Sequence, residues 1–473
     1  MSLFDDAVRR LRARVAAVDA DLGRWRERTS EDGDLPQHHT QVLRLHDYLG
    51  GMLDAVVRGT PIEPGARPPY AGTVDDLPRL RRGVGSVHLV WDFFRDKLTQ
   101  RDTAAFAGHL GAADDLAWAC YRPFLEAATG VAAAEVREPP LVFYSTDRTP
   151  FAQARTKTLH PPGLDAKDLE VFEAALQRLP VPVIGLPWDV ADRMPELALV
   201  GHETGHVIAE DLHLAAEAAT VLRDATGVRN SVWVAWCDEI FADAIGVLAT
   251  GSAYVEGLTV ELAGASGEIH AAAIDVRRPG RYPARMLRVA LCERFLAHAG
   301  TAAPAAWTET YGAIGGPAKA YAEEVDVVAA ALMDREWAGL AGKRLADVLP
   351  WSAEREEQAH LVGRKELRGQ SANVLFDLRI WVAAAMHACR ADPERYASRG
   401  LDQRLARAIV DRRKAGTRSS AATRTALLAR EQRLETPADP RPADPRHADP
   451  RHADPRHADR TAGAGLAREL GLA

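Results

Sequence analysis

Cysteine is scarce in this chain. Its four residues, Cys120, Cys237, Cys292 and Cys389, lie far apart and form no CxxC pair. That spacing signals neither a disulfide framework nor a thiolate zinc site, so buried free thiols are expected. Long apolar runs are missing too. No stretch approaches the roughly 18 uncharged apolar residues of a membrane span, and the nearest, Ile380 to Cys389, is short and flanked by Arg379 and Arg390. The N-terminal stretch MSLFDDAVRRLRARV lacks the uninterrupted apolar segment of a signal peptide. These absences argue against membrane insertion and lead to the expectation of a cytoplasmic protein.

An excess of positive charge is also lacking. Lys plus Arg number 59 against 66 Asp plus Glu, a formal net charge of −7, which gives a nucleic-acid partner no electrostatic support. Gly83-Val84-Gly85 does not complete a dinucleotide fingerprint, and neither a GxxxxGK(S/T) phosphate loop nor a GxSxG nucleophile elbow occurs. Nucleotide binding and serine-based acyl transfer therefore have no motif behind them.

What remains is an ordinary globular composition, 47% hydrophobic and 26% charged, in 473 residues. Domains usually run to roughly 100–200 residues, so two or three packed units are expected. Leu3, Val8, Leu11, Val15, Val18 and Leu22 fall near helical spacing, and helical patterning continues to about residue 135. At 139–145 the run PPLVFYS has the β-branched and aromatic content of a strand. The segment PVPVIGLPW, 180–188, carries three prolines, which suit an edge strand rather than a central one. Helical patterning returns beyond residue 300. From Pro437 the unit ADPRP, ADPRH, ADPRH, ADPRH repeats with almost no apolar mass, so 436–473 is expected to be a disordered tail. The expected organisation is a helical region 1–135, a small mixed α/β core 136–300, a helical region 301–435 and that tail.

Residues 202–206 read His-Glu-Thr-Gly-His, an HExxH. On a helix the two histidines at i and i+4 project from one face about one turn apart, where both imidazoles reach one metal ion. Glu203 sits beside them, placed to take a proton from an attacking water. Further on, Asp238-Glu239-Ile240-Phe241-Ala242-Asp243 lies in an apolar helical segment, Val232 to Leu248. Glu239 and Asp243 share a face at i and i+4. Two carboxylates on a buried helix need compensation, and a metal ion with its histidines would supply it.

HETGH followed by EIFAD resembles the gluzincin metallopeptidases, the group of thermolysin and of the heat-shock and CAAX-prenyl type proteases. The resemblance covers about 50 residues, His202 to Thr250. It implies that Glu239 is the third zinc ligand beside His202 and His206, and that Asp243 orients a ligand histidine from behind. It also implies a mainly helical protein with a zincin-like metallopeptidase domain flanked by helical regions, zinc as cofactor, and a peptide or protein substrate cleaved with Glu203 as general base. Two features depart from the family. The transmembrane helices of the CAAX-type enzymes are absent, and in place of their downstream His-Pro and nearby Arg this chain has Arg281-Tyr282-Pro283-Ala284-Arg285. Tyr282, Arg285 and His270 stand as candidates for stabilising the transition state. The alternative is a non-catalytic helical interaction protein with a structural or vestigial zinc site. A structural site needs a fourth protein ligand and has no use for a base beside the metal.

Overall fold

The computed structural model describes residues 2–30, 32–129, 138–153, 166–179, 181–227, 231–302, 306–370, 377–415 and 455–472. Among them the protein is mainly helical, with one small three-stranded sheet. No described helix is long and apolar enough to cross a membrane. The expected boundaries near 135 and 435 fall outside the described residues, as do the first repeats of the tail.

The sheet explains how the cores are divided. Strand β1 (Leu141–Ser145) pairs in parallel with β3 (Val183–Pro187), and β2 (Phe151–Gln153) pairs antiparallel with the other edge of β3. Side chains alternate across a strand. Leu141, Phe143 and Val183 therefore enter one hydrophobic core, while Val142, Tyr144, Ile184 and Leu186 enter the other. With both faces covered, the strands read in sequence as continuous apolar runs.

The first core gathers helices Leu3–Arg28, His39–Val57, Leu77–Thr99 and Ala166–Arg178. The second holds helix Ala104–Ala127 together with most helices from 200 to 415, and a small third core gathers Ile269, Met286, Val289 and Trp307. The cores thus divide the chain differently from the expected boundaries: Ala104–Ala127 joins the later helices, Ala166–Arg178 joins the earlier ones, and no break falls at residue 300.

Two expectations need correction. The segment 180–188 supplies the central strand of the sheet, not an edge. Pro187 closes β3 and Pro182 precedes it, so every residue inside β3 keeps its N–H for the ladder, and Pro182 itself contributes only its carbonyl, to Leu141 N. The tail is not disordered throughout either. Its last repeat starts a helix, Pro455–Glu469, which packs along His39–Val57. Leu466, Ala467 and Leu472 are buried there, and Gly51 and Gly463 let the two backbones touch, since a Cβ at either would overlap a carbonyl of the other helix. Arg44 and Asp459 form a buried two-point ion pair, Nε to Oδ2 at 2.7 Å and Nη2 to Oδ1 at 3.1 Å. Repeat composition carried no sign of that partner. Asp459→Ala is expected to destabilise the fold by about 1–3 kcal/mol, the loss being limited because Glu138 stays 3.8 Å from Arg44. Chemical denaturation reads this, and an unchanged midpoint would mean that the tail helix does not hold Arg44.

Candidate metal centre

The HExxH lies on helix Val200–Asp211, entered through the 3-10 segment Met194–Leu199 with Pro195 near its start. This helix is buried on nearly all sides and packs against helix Cys237–Thr250, which carries Glu239 and Asp243. Gly201 and Gly205 make the close approach possible. A Cβ at these positions would meet Ala249 Cβ at 2.5 Å and Ala242 Cα at 2.8 Å. The small residue between the two histidines is therefore a packing requirement that brings the carboxylate helix within reach of the imidazoles.

His202, His206 and Glu239 offer ligand atoms that all lie within 4.8 Å of one another. Glu239 Oε2 is 3.5 Å from His202 Nε2 and 3.7 Å from His206 Nε2. Tetrahedral ligand atoms about 2.1 Å from one zinc stand roughly 3.4 Å apart, so the donor set is close to the spacing that one ion demands. The two rings are nearly perpendicular, 86°, which lets both lone pairs meet at a point. Glu239 is 1% exposed, and its Oε2 has no hydrogen-bond partner. A buried carboxylate oxygen left without a donor but aimed between two imidazoles is a sign of a cation-binding position. The residues present fit a divalent transition ion.

Behind the histidines is a network of buried polar groups. Asp243 Oδ1 lies 2.9 Å from His202 Nδ1 and accepts from Tyr254 OH, whose oxygen is 3.1 Å from the same Nδ1. Arg288 donates to both oxygens of Asp243, each at 2.8 Å, and its Nη2 is 3.6 Å from Glu239 Oε2. Arg281 Nε donates to Glu239 Oε1 at 3.2 Å. Holding Nδ1–H on a carboxylate leaves Nε2 of His202 as the acceptor nitrogen, with Arg288 Nη2 3.4 Å from it.

The charges follow from this packing. Burial works against a charged His202, but the Asp243 and Glu239 carboxylates beside its two nitrogens more than offset it and push the imidazole up to about 9. Burial likewise opposes ionised Asp243. Arg288 and His202 outweigh it and hold the carboxyl near 2. Glu239 is held well below the usual carboxylate range by His202 and His206 despite its burial. A metal must then displace a proton from His202, because only the neutral imidazole ligates. Metal affinity is expected to fall about tenfold for each pH unit below 9, as competition for one proton requires. Chelator competition between pH 7 and 9 measures it, and a flat profile would show that His202 carries no such proton.

No family model, curated protein or solved structure matches this chain. Assignment of the site thus rests on the arrangement of its own residues.

That arrangement opens into a cleft of about 1080 Å³, lined by His202, Glu203, His206 and Glu239 at its base. Glu203 is 6% exposed and faces this space. The candidate stabilisers separate. Tyr282 lines the cleft and is 55% exposed; burial, Glu239 and Glu203 raise its phenol above the ordinary value, so it keeps its proton. Arg285 lines the cleft with Nη1 on the Leu262 carbonyl at 3.2 Å. His270 is not among the lining residues; its Nε2 lies 3.0 Å from the carbonyl of Tyr311, the last residue of helix Ala306–Tyr311. Arg288, Tyr254 and Arg281 were not anticipated. Arg288 does interrupt an apolar run, Met286-Leu287-Arg288-Val289, and a charge amid such neighbours was the available signal.

Proposed function

We propose that this chain is a zinc-dependent hydrolase of peptide bonds, organised as the gluzincin resemblance implies. The observation that carries the reading is the meeting of His202, His206 and Glu239 at the base of an open cleft, with Glu203 beside them and the buried Glu239 Oε2 lacking a hydrogen-bond donor. Zinc held by these three groups would supply a Lewis acid that polarises a carbonyl and lowers the pKa of water toward about 7.

The rest is the work of this chain's residues. Glu203 takes the proton of the attacking water and returns it to the leaving amine. Asp243 and Tyr254 keep His202 in one orientation and tautomer, and Arg288 and Arg281 fix the two carboxylates. Tyr282, a protonated phenol in the cleft, is the better placed donor to a developing oxyanion. Phe151 and Ala152 of β2 also line the cleft. As one of the sheet's two edge strands, β2 offers backbone groups to an extended peptide. The interaction-protein alternative leaves Glu203 and this open volume without a use. Against a diverse peptide library, the purified protein is expected to cleave, to lose cleavage on chelation and to recover it with added zinc. Cleavage that persists through exhaustive chelation would sink the proposal.

A further inference from the structure

A second group of histidine and carboxylate side chains sits where three helices meet. Glu356 and His360 are i and i+4 on helix Ala353–Leu367, and His387 faces them from helix Leu378–Ala391. Their ligand atoms all lie within 4.8 Å of one another. Glu356 Oε1 is 3.0 Å from His387 Nε2 and 3.6 Å from His360 Nε2. Glu256, on helix Ser252–Leu262, places Oε2 3.8 Å from the other nitrogen, His387 Nδ1.

Two observations point to a ligand here. His387 is 6% exposed, yet neither of its ring nitrogens makes an aligned hydrogen bond, and Glu256 Oε2 has no hydrogen-bond partner either. Glu356, by contrast, is firmly held. Trp351 Nε1 and Ser252 N donate to Oε2 at 2.9 and 3.2 Å, and Ser252 Oγ donates to Oε1. A carboxylate oxygen has two lone-pair sites, so Oε1 keeps one, directed at the imidazoles. Gly251 protects this arrangement: its φ is +62°, and a Cβ there would overlap Trp351 Nε1 and Glu356 Oε2.

We propose that Glu356, His360 and His387 form a second site for a divalent transition-metal ion, with Glu256 holding Nδ1 of His387. Two nitrogens and one carboxylate oxygen suit zinc and its neighbours, whereas magnesium and calcium prefer oxygen alone. A carboxylate at the remote nitrogen is what orients ligating histidines elsewhere. It repeats the arrangement of His202, which stands between Glu239 and Asp243. Residues 254 and 256 project about 200° apart on one helix, so a single helix serves the network of each site from opposite faces.

The His360 and His387 rings are stacked, with centroids 3.9 Å apart and planes 19° from parallel. One ion cannot lie in both such planes, so ligation requires His360 to turn. Its side chain is 41% exposed, whereas that of His387 is 4% exposed. A proton is the competing occupant. Burial disfavours it, but Glu256 and Glu356 more than offset burial and carry His387 up to about 9, and Arg390 faces Glu256 from the surface at 3.4 Å. Metal counting therefore belongs in mildly alkaline buffer.

The test is stoichiometry after zinc loading and desalting, repeated with cobalt for its ligand-field spectrum. Two ions per chain are expected for the unaltered protein, one for Glu356→Gln, one for His202→Ala, and none for the pair combined. His360→Ala, at a half-exposed position, should keep the melting temperature and weaken the second ion at least about tenfold. One ion in the unaltered protein and none in His202→Ala overturns the proposal and assigns the cluster to a proton. So does a second ion that His360→Ala holds at undiminished affinity. Failure of the first site reads differently: the unaltered protein would then hold one ion, kept by His202→Ala and lost by Glu356→Gln.

Discussion

Glu203→Gln should retain the fold and the zinc of the unaltered protein and lose peptide hydrolysis by about 10²–10⁴ in rate, the range that general-base catalysis supplies. The amide preserves the shape of a side chain that is 6% exposed on a fully buried stretch of helix, so packing gives no reason for it to unfold. It differs in being unable to take a proton. Matched melting curves and metal content, measured beside cleavage of the same peptide, separate chemistry from binding. Equal cleavage by both proteins would place the activity elsewhere, in another site or a contaminant.

Arg288→Met is expected to cost about 3–5 kcal/mol of stability, the usual consequence of removing one partner of a buried ion pair. Arg288 is 7% exposed and donates twice to Asp243, which is 1% exposed. Without it Asp243 keeps Tyr254 and His202, but the only other guanidinium in the network, on Arg281, bonds Glu239. Methionine fills similar volume, so the loss reads charge rather than a cavity. Arg288→Lys, which keeps the charge and loses the two-point geometry, should fall between. Denaturant titration of metal-free protein measures both, and a loss below about 1 kcal/mol for Arg288→Met would show the network to be held by something else.

The two motifs were legible because each obeys a local rule. His202 and His206 share a face by helical periodicity, and so do Glu239 and Asp243. Strands β1 and β3 were visible as short β-branched runs, and the apolar run Val232 to Leu248 marked buried helix, which the structure divides at Trp236 into Ser231–Ala235 and Cys237–Thr250. Two departures from expectation share a cause. Prolines at 182 and 187 were weighed as if inside a central strand, although they stand at its ends. The repeat at 437–459 was judged on its own apolar content, yet Asp459 and the residues after it find their partners on His39–Val57.

By itself, then, the sequence determined the helical character of the chain and which histidines and carboxylates share a helix face. Spacing along one helix or strand is enough for that, since 3.6- and 2-residue periods are properties of the local backbone. Tertiary structure alone decided which helix faces which: that Gly201 and Gly205 let Glu239 reach the histidines, that Arg288 neutralises Asp243, that β3 separates two cores, and that Glu356 meets His387. These pairings join residues tens to hundreds of positions apart. Close packing and the cost of leaving buried charge unpaired select them, and both act only once the chain has folded.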